Sequence, residues 1–297
     1  MSFESLMAAS QRLSVSVETM AAVGAHLRLQ QERLDADPRV GALLNEIARA
    51  VAPQLLENVD THQQAVVLAL IQTMFHQALD LLENPARAPG WSYTDPDILQ
   101  SQGQVSRLIV RGIETMAAQR PQISETLRRP GTFLDVGTGV GWLAIEAAHS
   151  WPALRVIGVE PWEPALTLAR KNLAQSGVAE RVEFRSQRVE HLEEDATFTL
   201  AWLPGPFIAA EIADQALEQV HRALVPGGWL IFGFNPLPPG ALENTLARLR
   251  IVRSSGHPWT PKEVEEKLQA HGFEQIEVYS PSPPILFVVG RRPASSE

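Results

Sequence analysis

Between Thr132 and Val136 a short apolar run leads straight into glycine, in the order Phe133-Leu-Asp135-Val-Gly137-Thr138-Gly139-Val-Gly141-Trp142. Glycines at this density let a backbone take conformations closed to other residues and approach a ligand closely. The segment therefore predicts a strand, a tight loop and a helix start that together form a binding site. Spacing narrows the ligand. A dinucleotide fingerprint needs a glycine three positions beyond its second one, for close helix–strand packing. Counted from Gly137, that position is Trp142. No Gly-Lys-Ser/Thr follows, so a P-loop is excluded. Asp135, two residues before the first glycine, suits a ligand ammonium group and would repel a pyrophosphate.

Four further apolar runs follow: Arg155–Val159, Arg181–Arg185, Phe198–Leu203 and Trp229–Phe234. Helical stretches at about 141–150, 164–176 and 208–224 lie between most of them, which predicts βαβ units and a mostly parallel sheet. After a helix over Pro261–Ala270, Glu274–Ser280 and Pro284–Gly290 read as two strands with no helix between them. That predicts an antiparallel hairpin at the sheet edge.

Up to about Gln122 the pattern is helical, including a helix over 96–118 with Asp95 as N-cap and Pro96 in its first turn. The most apolar stretch, Ala65–Leu82, is broken by Gln72, Thr73, His76, Gln77 and Asp80. It is expected to be a core helix enclosed on several sides, not a membrane span. The expected division is an N-terminal helical region at 1–122, an α/β domain at 123–290 and a disordered tail at 291–297.

The net charge of −9 disfavours nucleic acid as a partner. The absence of cysteine excludes disulfides, thiolate metal sites and cysteine nucleophiles. No His/Asp/Glu cluster has convincing ligand spacing, so no metal is expected. Met1–Ser10 lacks the basic start and apolar run of a signal peptide, and a cytoplasmic protein is expected.

Glu160 closes the second run. A carboxylate at such a strand end can accept hydrogen bonds from both hydroxyls of a ribose. With Phe133–Gly141, Val159-Glu160, Pro226-Gly227-Gly228 before the fifth run, and Gly272-Phe273 before a strand, the chain from about Thr132 onward resembles the class I S-adenosylmethionine-dependent methyltransferases. The resemblance implies a Rossmann-like sheet of order 3-2-1-4-5-7-6 with strand 7 antiparallel. It implies S-adenosylmethionine as cofactor, held at the carboxyl ends of strands 1, 2 and 4. Asp135, Gly137, Thr138, Gly139 and Gly141 would hold its methionine and ribose part, Glu160 the ribose hydroxyls, and Pro161 and Trp162 the adenine. Trp202 and Leu203, at the end of strand 4, would complete the site.

Two departures from the family pattern stand out. The position after strand 3 that often carries an adenine-binding Asp is here Arg188, which accepts no hydrogen bond. Gln187 offers a carbonyl instead, Arg188 a plane to stack, and Val189 follows them. After strand 4, Leu203-Pro204-Gly205-Pro206-Phe207 lacks the Asn/Asp-Pro-Pro-Tyr/Phe motif of enzymes that methylate exocyclic amines. Pro204 and Phe207 either present an apolar face to a substrate or form a loop packed on the core.

Of the eight histidines, His257, in Ser254-Ser-Gly-His257-Pro-Trp259, is the candidate catalytic base; the alternative is a plain surface loop. Tyr93, Gln100 and Gly103 are candidates for a lid over the pocket, the alternative being a connector helix. The resulting reading is methyl transfer to a small molecule, in secondary metabolism, with the N-terminal helices as lid and homodimer surface. A protein that binds S-adenosylmethionine without transferring methyl, as a cyclase or regulatory subunit, is the second reading. An NAD-dependent oxidoreductase is the third.

Overall fold

The structure, a computed structural model, describes residues 2–51, 59–282 and 285–294. It divides into two compact units, Met1–Pro85 and Ala86–Glu297.

The first unit holds α1 (Phe3–Glu32), α2 (Pro38–Val51) and α3 (Thr61–Glu83). Capping starts two of them: the Ser2 and Asp60 side chains accept the N–H of Ser5 and Gln63, and those side chains return the bond. α1 meets α3 at Gly24, where a Cβ would lie 3.0 Å from Ile71 Cγ2. Leu27, Ala48, Val66 and Ala69 are buried there. Three helices cannot surround one another, however. Val67, Leu70, Met74, Leu79 and Leu82 of α3 are exposed, so this helix is open on one side, contrary to the enclosure expected. Residues 63–83 are long and apolar enough to cross a membrane by length and composition.

The second unit is a seven-stranded sheet: β1 (Gly131–Val136), β2 (Leu154–Val159), β3 (Val182–Arg185), β4 (Phe198–Pro204), β5 (Leu224–Phe234), β6 (Glu274–Ser282) and β7 (Ile285–Arg291). The order is β3-β2-β1-β4-β5-β7-β6, as the resemblance implied. β1 to β5 run parallel, and β7 is antiparallel to both β5 and β6. The helices are α4 (Pro96–Ala118), α5 (Pro121–Arg128), α6 (Trp142–Ser150), α7 (Glu163–Ala174), α8 (Ala210–Ala223), α9 (Ala241–Arg253) and α10 (Pro261–Ala270). Both faces of the sheet are covered, so the strands are apolar on both sides. Phe133, Trp202, Trp229 and Phe287 lie in one core with α4–α6. Leu134, Leu203, Leu230 and Val288 lie in the other with α8 and α10. Each such side chain contributes about 1.5–3 kcal/mol through burial.

Two boundaries differ from expectation. The compact division falls at Pro85 and not near residue 122, because Val110, Ile113 and Met116 of α4 pack into the sheet's own core. The C-terminal segment also stays ordered beyond Gly290. Arg291 ends β7, and Arg292 donates its N–H to Gly228 O at 2.8 Å while its carbonyl accepts from Gly227 at 2.9 Å. An inner strand is held from both sides, so its end does not fray. Residues 295–297 of the expected tail lie outside the described residues.

Candidate cofactor and acceptor site

The loop after β1 turns on three glycines in left-handed conformation: Gly137 (φ 65°), Gly139 (φ 57°) and Gly141 (φ 83°). A side chain at any of them would be strained. A Cβ on Gly141 would also lie 2.5 Å from the Phe184 ring. The N–H groups of Gly137 and Thr138 donate to Val159 O at 2.9 and 3.1 Å, folding the loop over the end of β2.

That brings Glu160 under the loop. Its Oε2 accepts Gly139 N–H at 3.0 Å and its Oε1 accepts Trp162 N–H at 2.8 Å. Each oxygen keeps acceptor capacity for another donor. Glu160 is 9% exposed, and burial raises its pKa against those two backbone bonds. Asp135, 1% exposed, lies beneath: its Oδ2 accepts the Thr138 hydroxyl at 2.6 Å. Burial pushes its pKa up to about 7; the Thr138 bond opposes this and the nearby Glu160 adds to it.

A cavity of about 250 Å³ opens above the loop. Its walls include Gly137, Thr138, Gly139, Glu160, Pro161, Gln187, Arg188, Val189, Gly103, Pro204 and Phe207, all expected from the sequence. Gln187 donates its amide to His191 O at 2.9 Å, so its amide oxygen is left to accept from a ligand. Arg188 is paired with Glu190 at 2.7 Å.

Other expected residues stand elsewhere. Asp135 supports the loop from below and does not line the cavity. Gly141 caps α6. Trp162 packs beside Trp91 and Tyr93 and donates its indole N–H to Tyr93 O at 2.7 Å, away from the cavity. Trp202 and Leu203 point to opposite faces of β4, into the two cores. The Trp202 ring lies across Gly233, where a Cβ would come within 1.8 Å of it, and packs edge-on to Phe287 at 5.6 Å. Only Pro204, at the strand's end, reaches the cavity.

Tyr93 packs on Trp91 at 5.0 Å. Gln100 accepts from Trp142 at 2.7 Å and donates to Asn172 at 3.0 Å. Neither lines the cavity, so of the lid candidates only Gly103 does. His257 is turned toward Trp259, ring centroids 4.4 Å apart, and lies 3.7 Å from Glu263, outside the cavity wall.

The wall also contains residues that were not named as site candidates from the sequence: Trp91, Leu99, Gln102, Ser106, Glu190, Ile208, Ile212 and Ser254. The helical period places Leu99, Gln102, Gly103 and Ser106 on one face of α4, so Gly103 was the available signal for its neighbours.

Residues 133–228 match the family model described as a methyltransferase domain. The demethylmenaquinone methyltransferase of Thermus thermophilus is 31% identical over 147 residues, 46% of this chain and 62% of that protein. The ribosomal protein L11 methyltransferase of Syntrophotalea carbinolica is 40% identical over 110 residues, 37% of this chain and 34% of its own. The chain thus spans less than two thirds of either relative. Among solved structures, human N-acetylserotonin methyltransferase in complex with S-adenosylmethionine has the same fold, with a TM-score of 0.68 over 97% of this chain and 98% of that one, at 14% identity. An O-methyltransferase family protein from Burkholderia thailandensis also scores 0.68, at 14% identity over 100% and 99% of the two chains. Residues 133–228 thus match a methyltransferase domain, and the sheet around them has the strand order that the resemblance to the class I S-adenosylmethionine-dependent methyltransferases implied.

Proposed function

We propose that the protein transfers a methyl group from S-adenosylmethionine to a small molecule. The observation that carries this is Glu160: a buried carboxylate on the cavity wall, each oxygen already oriented by one backbone N–H and each able to accept once more. A ribose diol offers the two donors that this arrangement lacks. The left-handed glycines bare the loop backbone to the same space. The cofactor supplies an electrophilic methyl on a sulfonium. The chain's part is to hold that carbon and the acceptor in line and to keep water out.

The acceptor is small because α4, Trp91 and Phe207 wall the cavity beside the loop, limiting the space left for it. A role in secondary metabolism is the physiological setting we propose. It is supported by a fold shared, at 16% identity and a TM-score of 0.63, with the pyocyanin biosynthetic protein PhzM. The first unit, with exposed Val67, Leu70 and Met74 along one face of α3, is proposed to pair with a second copy.

The test is to supply methyl-labelled S-adenosylmethionine with a bacterial extract split into small-molecule and macromolecular fractions. Label is expected in the small-molecule fraction, lost in Glu160→Ala. Label in protein or RNA, or none in either, contradicts the reading.

A further inference from the structure

The cavity is chemically divided. Its ionisable wall residues all follow β2 and β3: Glu160, then Arg188 and Glu190, the last two paired with each other. The wall at the β4 end is made by Pro204, Phe207, Trp91 and Ser254, and carries no ionisable group. Among the described residues of the whole wall there is no His, Lys or Tyr. His257, in the loop next to Ser254, faces Trp259 and Glu263 instead.

The β4 end is also aromatic and braced. Trp91 and Phe207 meet edge to face, centroids 5.4 Å apart and planes at 81°. Tyr93 backs Trp91 at 5.0 Å. Gly90 N–H donates to Arg253 O at 2.9 Å, tying the Trp91 loop to the end of α9. Gly256 lies so close to the Phe207 turn that a Cβ would come within 1.9 Å of Pro206 O. Phe207 is nonetheless 39% exposed, an aromatic side chain held in place and still open to a ligand.

We propose that the acceptor is a flat conjugated ring with an acidic hydroxyl, bound as its anion against Trp91 and Phe207. This rests on the methyl-transfer reading above. An aliphatic alcohol needs a base in reach at the moment of transfer, and the β4 end offers none. A neutral amine would take over the sulfonium's positive charge and hold it at the β4 end, where no ionisable group of the wall faces it. An anionic ring oxygen needs neither. Its proton has gone to solvent before binding. Its lone pair forms the O–C bond, the C–S bond breaks, and that electron pair stays on sulfur as a neutral thioether. The anion and the sulfonium cancel as the bond forms, so apolar surroundings favour the step by strengthening their attraction. The aromatic wall contributes area and ring contacts at little entropic cost, because Trp91 is already fixed.

The inference is tested by calorimetric titration of the full chain with two cofactor analogues and three ring probes. Sinefungin carries a cationic amine in place of the sulfonium, and S-adenosylhomocysteine is uncharged there. The probes are 4-nitrophenol, which ionises near neutral pH; 4-methylphenol, which like tyrosine ionises near about 10; and cyclohexanol, which is neither flat nor acidic. At pH 8, 4-nitrophenol is expected to bind the sinefungin complex about tenfold more tightly than the S-adenosylhomocysteine complex, an effect of about 1.4 kcal/mol. The other two probes should show no such preference. Trp91→Ala and, separately, the exposed Phe207→Ala should each weaken 4-nitrophenol by about tenfold while sinefungin still binds. Equal binding of cyclohexanol, indifference to the cofactor's charge, or sinefungin binding with no probe following it would overturn the inference and leave the cofactor assignment standing. Failure of both analogues to bind would overturn the underlying reading as well.

Discussion

The indole N–H of Trp142 donates to Oε1 of Gln100 at 2.7 Å, tying α4 to the helix that begins at the glycine loop. Trp142 stands where a dinucleotide fold needs its third glycine, and here the bulk has a use. Gln100 passes the connection to Asn172, whose amide donates to Val140 O in the loop at 2.9 Å. Trp142→Phe keeps the ring and removes the donor. The expected loss is about 1 kcal/mol of stability, or about 2–4 °C in melting temperature for a unit of this size. A calorimetric melt measures it.

Gly103 lets α4 reach the loop. Alanine is the better helix former by about 1 kcal/mol, but a Cβ here would lie 2.1 Å from Val140 Cγ2. Overpacking costs about 1–3 kcal/mol, so Gly103→Ala is expected to destabilise the protein and weaken cofactor binding. Adding Val140→Ala should recover part of both, as urea unfolding and ligand titration of the double variant would show.

Glu160→Gln replaces one acceptor oxygen by a donor facing either Gly139 N–H or Trp162 N–H. Hydrogen bonds to a charged group are each worth about 1.5–3 kcal/mol, so cofactor affinity should fall by roughly 10- to 100-fold. Titration with S-adenosylhomocysteine is the direct readout.

Asp135 makes stability and binding respond to pH in opposite directions. Its carboxyl titrates near about 3.9 when unfolded and near about 7 in the fold. Between these values the folded state holds a proton that the unfolded state has lost. Its contribution to stability is therefore complete below about pH 4 and declines as pH rises toward about 7. Asp135→Asn should flatten that decline in urea denaturation. A cationic ligand favours the ionised carboxylate, so S-adenosylmethionine affinity should increase from pH 6 to 8 in the wild type and change less in Asp135→Asn.

The open face of α3 predicts self-association. Light scattering is expected to give twice the chain mass of 32.7 kDa, reduced to one chain by Leu70→Glu with Met74→Glu. A wild-type monomer would contradict it.

The strands and the glycine loop were legible because each leaves a local signature, whereas the sheet order was implied by the family resemblance. Pro96 after Asp95 starts α4 as expected, with Asp95 accepting from Asp97 N–H at 2.8 Å. Trp202 and Leu203 were misplaced because their directions depend on register. Trp202 pairs with Ile231 in β5, and its ring crosses the space left open at Gly233 two residues further on. No window around residue 202 contains that fact. Gln100 was read as a lid residue from its polarity, but its partners, Trp142 and Asn172, come from two other helices. Trp91 was not singled out for the converse reason: a lone aromatic in a loop has no periodicity, and its meaning comes from Phe207, which it meets edge to face.

The most direct measurement is the melting temperature with S-adenosylmethionine, S-adenosylhomocysteine or NAD, for wild type and Glu160→Ala. At about 100 times its dissociation constant, a ligand that binds only the folded state adds about 2.7 kcal/mol. The structure predicts a rise with both sulfur ligands, lost in Glu160→Ala, and none with NAD. A rise with NAD and none with the sulfur ligands would contradict the account at its centre.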